Sequence, residues 1–416
     1  MPQRVVILGA GFAGTAVART LEQRARSGEV AVTLVNRENY TLFTPMLPEV
    51  SSGAIEPRHI APPVRALLHT SQFEMGEVES VDLEQRTVVV RNEKAARSSR
   101  LSYDHLVIAL GAITSTHGVP GADSHTFPLK TMDDAIAQRN ETIRSLEAAA
   151  TLTDDHERRA FLTFVVVGGG FTGVEAAGEL LGFLRSAARF YPRVERDDLR
   201  VVLVAGGPRL LPQLPSSLGD AAAKMLAQRG VEVVFNDDAA AVDGGGVTLA
   251  SGKRYESKTV VWSAGVATPP LVAQLGIEHS KHHAIVVNPD LSVPNKLGLW
   301  ALGDCAQIPK PGGGFYPQTA QHALREAPVL ARNLLATLRG RATKPFAYKT
   351  LGMMASIGRR EGIADIRNRL TLTGLPAWLL WRAYYLSRLP GRFRKTRVAL
   401  DWALTLPFPE DIASVG

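Results

Sequence analysis

Glycines 9, 11 and 14 (GAGFAG) and glycines 168, 170 and 173 (GGGFTG) have the type and spacing to hold a pyrophosphate. The first set follows the apolar run Val5-Val6-Ile7-Leu8 and the second follows Phe164-Val165-Val166-Val167. Each opens a stretch rich in Ala, Glu and Leu. A strand, a tight glycine turn and a helix N-terminus aim backbone N–H groups and the positive end of a helix dipole at an anion, and glycine lets the backbone come close. One such motif can be an ordinary turn. Two of them, about 160 residues apart, point to two dinucleotides on one chain and to electrons passing between them.

Other side chains can serve such chemistry. Glu175 falls in the first turn of the second helix. A carboxylate there either complements the helix dipole at the surface or, if desolvated, positions a nucleotide or holds a proton near neutral pH. Asp304 ends the apolar run Leu299–Gly303, where an aspartate also serves as a cap. Gln321 and Glu326 lie five apart on a helix and can be plain solvated positions, though an amide there can also donate to a ligand carbonyl. His322 beside them reads as a surface histidine and Lys130 as a solvated lysine. Cys305 is the only cysteine and reads as a small buried hydrophobe. It excludes an intrachain disulfide, a cysteine zinc site and a redox-active cysteine pair. No metal site is expected.

The positioning elements follow from hydrophobic period and breakers. The first unit reads as strand 4–8, helix 12–26, strand 30–35, the strand pair Val78–Leu83 and Arg86–Arg91, and an apolar strand ending in Gly111-Ala112. Gly118–Asp123 reads as a linker. The second unit repeats the pattern with strand 163–167, helix 172–190, strands 199–204 and 231–235, and a closing strand ending at Gly265. That repetition is a weak internal duplication. The chain then returns to the first unit through strand 299–304 and helix 319–339. Expected limits are 1–118 with 295–345 for the first domain, 119–294 for the second, and 346–416 for a membrane-associating or dimerising region.

At 416 residues, 45% hydrophobic and 21% charged, the chain can bury two cores plus an appendage. No run of 18 or more apolar residues is present, so no helix is expected to span a bilayer. The first strand starts at Arg4 or Val5, which leaves no room for a signal peptide, and a cytoplasmic, reducing location is expected. The net charge of +7 is uneven: from Arg341 onward 13 Lys/Arg face 5 Asp/Glu, leaving the first 340 residues at −1. Leu375–Leu389 carries Trp378, Trp381, Tyr384, Tyr385, Arg382 and Arg388. Arg394, Arg397, Asp401 and Thr405 form a polar stripe, with Val398, Trp402 and Leu406 on an apolar side. Such a helix suits a lipid interface, where Arg392, Arg394, Lys395 and Arg397 would each add roughly 1 kcal/mol of attraction to anionic lipid. The alternative is an amphipathic helix docked on its own core or on a partner subunit. No nucleic-acid-binding fold accompanies the charge.

Two fingerprints, two small-residue strand ends and the late Leu302-Gly303-Asp304 resemble the two-dinucleotide-binding-domain flavoproteins of the pyridine nucleotide-disulfide oxidoreductase superfamily. Asn39–Leu47 is similar to the segment that packs on the isoalloxazine in type II NADH dehydrogenases. Gly170–Glu175 is similar to their second fingerprint, and Ala320-Gln321-His322-Ala323 to their quinone-site motif. Gly352–Gly358 and Ala377–Arg382 look like their membrane-binding C-terminus. The resemblance implies an α/β fold of two Rossmann-like domains, one for FAD and one for NAD(P)H, plus an amphipathic C-terminal membrane-binding segment. It implies FAD contacts at Gly9, Gly11, Phe12, Ala13, Gly14, Asn36, Arg37, Thr44, Pro45, Val78, Ala109, Gly111, Gly303, Asp304 and Gln321. NADH contacts fall at Gly168, Gly170, Phe171, Thr172, Gly173, Ala205 and Gly265, and catalytic roles at Glu175, Gln321 and Glu326.

Three positions depart from the pattern. Glu326 replaces the motif's last glutamine, Asn36 replaces a ribose-binding acid, and Ala205-Gly206 stand where an acid would reject a 2′-phosphate, with Arg209 the nearest cation. NADPH therefore stays open beside NADH. The implied activity is non-proton-pumping NAD(P)H:quinone oxidoreduction: a hydride to FAD, then two electrons to a membrane quinone. The enzyme would lie peripherally on the inner face of the cell membrane, with a homodimer left open. A soluble FAD-dependent NAD(P)H reductase of the diaphorase or ferredoxin-reductase type is the alternative, as is a flavin-bearing redox sensor or scaffold. Sulfide:quinone and disulfide reductases need more cysteines than this chain has.

Overall fold

A computed structural model describes residues 1–367 and 369–414. Its chain divides into two compact units.

The first unit comprises Met1–Leu42, Ala61–Ile113 and Ala267–Thr350. Its parallel five-stranded sheet runs Leu299–Ala301, His105–Ile108, Gln3–Leu8, Val30–Asn36, Gln72–Met75. Val5 sits opposite Val32 on one side and His105 on the other. Val5–Leu8 is buried throughout, which is why this strand reads as a continuous apolar run rather than an alternating one. Helices Phe12–Arg26 and Ala320–Leu338 pack together against it. A three-stranded antiparallel sheet, Glu77–Asp82, Thr87–Asn92 and Arg97–Ser102, completes the unit.

The second unit comprises Phe43–Ile60, Thr114–Val266 and Leu351–Gly416. Its parallel sheet runs Val231–Phe235, Arg200–Ala205, Thr163–Val167, Thr259–Trp262, Phe127–Pro128. Thr163–Val167 is buried along its length and leads into helix Phe171–Ala187. Helix Met132–Thr151 opens on a capping box in which Thr131 and Asp134 exchange side-chain and backbone bonds, satisfying two orphan donors. Strands Gly352–Ser356, Gly362–Ile366 and Leu370–Thr373 form an antiparallel sheet, followed by helices Leu375–Arg388 and Arg392–Leu404.

Both parallel cores answer the expected α/β class. The unit limits differ from those expected: 267–294 joins the first unit, while 43–60 and the tail from Leu351 join the second. Gly352–Gly358 was expected to bind membrane. It is instead a strand and turn of the second unit, with Ala355 and Ile357 fully buried. The expected linker 118–123 is a fixed turn. Gly121 has φ +74°, and a Cβ there would stand 1.9 Å from the Val242 carbonyl oxygen, so only glycine fits. Among the described residues no helix is long and apolar enough to cross a membrane.

Candidate active site

In the first unit Gly9 has φ +98° and a Cβ there would lie 2.3 Å from the Ala109 carbonyl oxygen; at Gly14 it would lie 1.9 Å from that of Gly9. These glycines are required by close backbone approach. Gly11 is different: nothing lies within 4 Å of its Cβ position. It caps helix Phe12–Arg26 without any side-chain cap bond, so space and backbone donors coincide, as a pyrophosphate requires. Gly303 sits beside Ala13, its Cβ position 3.2 Å from the Ala13 methyl. Gly111 also has positive φ and open space around it. Asn36 Oδ1 accepts from Ala10 N at 2.9 Å and its amide donates to the Glu38 carbonyl at 2.8 Å. Its fixed amide retains one lone pair and one N–H for a ligand. Arg37 is exposed and 3.6 Å from Glu77, and Val78 lies half-buried on a strand.

Glu326, expected to face a quinone, is turned to the Gly-Asp turn instead: its Oε2 accepts from Gly303 N at 2.8 Å. Burial raises its carboxyl to about 7, against the pull of that hydrogen bond. Gln321 Oε1 accepts from the Tyr348 hydroxyl at 2.7 Å, and the Asp304 carbonyl accepts from the Gln318 amide at 2.7 Å. His322 is not a surface histidine. It is 2% exposed, bonded through Nδ1 to Thr319 Oγ1 at 2.7 Å, and flanked by Tyr316 and Tyr348. Burial lowers its pKa, so the ring is neutral. Its burial lay on the helix face shared with Glu326, one turn away. Cys305 is buried with its thiol pushed up to about 12, which makes it a packing residue as expected.

In the second unit the cradle repeats. Gly168 (φ +124°) is pressed against Ser263, its Cβ position 2.6 Å from Oγ, and that of Gly173 is 1.8 Å from the Gly168 carbonyl oxygen. Gly170 again has nothing within 4 Å and caps a helix with no side-chain bond; Phe171 and Thr172 form the first turn. The His117 ring covers Gly265, with Nε2 at 3.2 Å from the Ala264 carbonyl oxygen. Thr44 and Pro45 form a short 3-10 turn in this unit. Beyond Ala205, where no acid directly follows in the sequence, a carboxylate comes from elsewhere in the chain. Asp238, from the loop after strand Val231–Phe235, places Oδ1 only 1.8 Å from where a Gly206 Cβ would be. The glycine makes room for a carboxylate brought from another strand.

Glu175 is buried in the first turn of the second cradle's helix. Its Oε1 accepts from Ser356 N and from Trp381 Nε1, each at 3.0 Å. Burial raises its carboxyl to about 8, more than those two bonds lower it. Ser356 Oγ also donates to Glu179 Oε1 at 3.4 Å, so one serine touches both acids. Glu49, 2% exposed, accepts from Arg382 Nη2 at 3.4 Å and Trp402 Nε1 at 3.0 Å, and burial raises it as well. The Arg382 guanidinium is held between the rings of Trp378 and Trp402, 3.9 and 4.5 Å from their centroids. Glu179, Arg382 and Glu410 line a cavity of about 40 Å³, large enough to admit water. Glu49, Glu179, Ser356 and Arg382 went unnoticed in the sequence.

The expected lipid-facing residues Trp378, Trp381, Val398 and Trp402 are buried against their own unit. Asp401 of the supposed outer stripe bonds His59 Nδ1 at 2.6 Å, and Arg394 donates to the Arg58 carbonyl. Both helices are apolar on two sides, and the face carrying hydrogen-bond partners docked inward.

Residues 3–327 match the pyridine nucleotide-disulphide oxidoreductase family. Over 99% of its length the chain is 32% identical to a probable NADH dehydrogenase of Dictyostelium discoideum, of which it covers 91%. Over 97% it is 32% identical to the type II NADH:quinone oxidoreductase Ndh of Mycobacterium tuberculosis, covering 88%. NDH2 from Plasmodium falciparum, solved in complex with NADH, has the same fold: TM-score 0.92 at 21% identity, with 99% of this chain and 100% of that one covered. The chain belongs to the pyridine nucleotide-disulphide oxidoreductase family, in its type II NADH dehydrogenase branch.

Proposed function

We propose that this chain is a non-proton-pumping, FAD-dependent NADH:quinone oxidoreductase working peripherally at the inner face of the cell membrane. The observation that carries it is the pair of equivalent glycine cradles, each with a crowded first and last glycine and an open middle one at an uncapped helix start. Bound FAD supplies the two-electron relay from NADH to a quinone. The chain's own residues do the rest. Gly11 and Phe12 offer backbone N–H groups to one pyrophosphate, and Gly170 and Phe171 to the other. Glu326 positions the Gly303-Asp304 turn rather than meeting the quinone. Asp238 opposes a 2′-phosphate by like charge, which favours NADH over NADPH.

Quinone reduction consumes protons, and Glu175 is protonated at neutral pH because burial disfavours its charge. Ser356 holds both acids in place, its backbone N–H on Glu175 and its hydroxyl on Glu179, and Glu179 lines the solvent-sized cavity. The exposed row Phe393, Leu400, Leu404, Leu406 and Phe408, with Arg392 beside it, forms the membrane-contacting face. Stopped-flow reduction of the flavin-loaded protein by NADH, then mixing with menaquinone and ubiquinone analogues, tests the reading. Rapid bleaching by NADH followed by quinone-driven return of colour is expected. A flavin that neither step changes would overturn it.

A further inference from the structure

A cavity of about 460 Å³ in the second unit is lined by Gly182, Arg185, Ser186, Arg189, Arg196, Arg229, Arg359 and Arg360. Six arginines from three separate stretches of chain converge there. Two are built into the wall. Arg229 donates to the Arg359 carbonyl at 3.2 Å and lies 3.5 Å from Glu361. Arg359 donates to the Thr405 and Leu406 carbonyls. The other four, Arg185, Arg189, Arg196 and Arg360, have no ion-pair partner among the described residues. Among the described residues, Glu361 and Glu179 act on Arg229, and Asp197 acts on Arg185.

A basic residue at a helix C-terminus complements the dipole, which accounts for Arg185 at the end of Phe171–Ala187. It does not account for four guanidinium groups without an ion-pair contact around one hollow, since like charges in proximity repel. A second observation lies in the cavity wall: Ser186 is 5% exposed, and its buried hydroxyl has no hydrogen-bond partner among the described residues. An unpaired buried hydroxyl costs free energy, so this part of the wall is not packed for its own stability. Gly182 keeps the wall open, its Cβ position 3.9 Å from an Arg229 nitrogen.

We propose that this basin binds an anion carrying two or more phosphoryl groups. Planar guanidinium forks match phosphate oxygens in pairs, and four unpaired cations call for more charge than one phosphate brings. The same chemistry is found on a free oligophosphate and on a dianionic phospholipid head group.

The test is isothermal titration calorimetry on the flavin-loaded, full-length protein at about 0.15 M salt, where exposed charges are well screened. Saturating NAD⁺ is present to occupy the second cradle. One arm adds sodium tripolyphosphate; the other adds vesicles of phosphatidylcholine with or without cardiolipin. Saturable one-to-one binding is expected in at least one arm, and the arm that responds names the source. Arg185→Gln and Arg360→Gln should each weaken it tenfold or more, and Gly182→Val, which removes no charge, should abolish it. Arg100→Gln, in the other unit, should leave it unchanged. No saturable binding in either arm overturns the proposal. So does equal weakening by Arg100→Gln, or indifference to all three basin variants.

Discussion

The indole nitrogen of Trp381 donates to Glu175 Oε1 at 3.0 Å, across 206 residues of sequence. The bond stabilises the carboxylate, yet burial still leaves the group protonated up to about pH 8. Replacing the acid by an amide of the same shape removes the proton and keeps the packing. Glu175→Gln is expected to slow quinone-dependent turnover by about a hundredfold, the lower limit of the range for a positioned proton donor. The wild-type kcat should also fall through an inflection near pH 8 that the variant lacks. The rate–pH profiles of both, measured with FAD retention confirmed by absorbance, check this.

Asp238 predicts nucleotide choice. Its carboxylate occupies the space beside Gly206, at the end of strand Arg200–Ala205, where a 2′-phosphate would meet its charge. Asp238→Asn should raise kcat/KM for NADPH relative to NADH by about tenfold, a change of about 1.4 kcal/mol. An unchanged ratio would show that the specificity lies elsewhere.

The two cradles were legible because a strand buried on both faces must be a continuous apolar run and because crowded backbone admits only glycine. Helix Phe12–Arg26 and strands Thr163–Val167 and Val231–Phe235 follow their sequence signals residue for residue. The carboxylate cluster was not legible. Glu49 and Arg382 stand 333 residues apart, and no local pattern links an acid in a short helix to a tail arginine. Asp238 was missed for the same reason: the absence of an acid after Ala205 is a local fact, and the carboxylate beside Gly206 comes from the loop after strand Val231–Phe235. The tail misled because Trp402 and Leu400 belong to opposite apolar faces of one short helix, and periodicity does not say which one meets the protein.

Glu49 ties stability to pH. Its folded pKa lies above the unfolded value of 4.5, so the fold binds more protons than the unfolded chain between those two values. The stabilisation is complete below about pH 4.5, declines as pH rises, and is lost above the folded pKa, near 8. Glu175 acts in the same direction. Glu49→Gln should therefore flatten the fall in Tm between pH 6 and pH 8.5. Arg382→Leu acts oppositely: it leaves Glu49 without its cation, leaves Glu179 with Arg229 alone, and empties the slot between Trp378 and Trp402. A loss of about 3–5 kcal/mol is expected, the cost of breaking a buried pair from one side. Denaturant midpoints of the three proteins across that pH range separate the two effects.

The tail helices separate anchoring from folding. Trp402 is 6% exposed and donates to Glu49, whereas Phe393, Leu400 and Leu404 are more than half exposed. Trp402→Ala should destabilise the protein by about 3–5 kcal/mol, as truncating a buried tryptophan does, and alter membrane binding only through unfolding. Phe393→Ser, Leu400→Ser and Leu404→Ser combined should leave Tm within about 2 °C, because changes at exposed side chains are usually small. They should nonetheless reduce co-sedimentation with anionic liposomes at least tenfold, since each side chain removes roughly 1–2 kcal/mol of transferable apolar surface. Raised salt should weaken the remainder, which rests on Arg392 and its basic neighbours. A triple variant that sediments like the wild type would move the lipid contact off these helices.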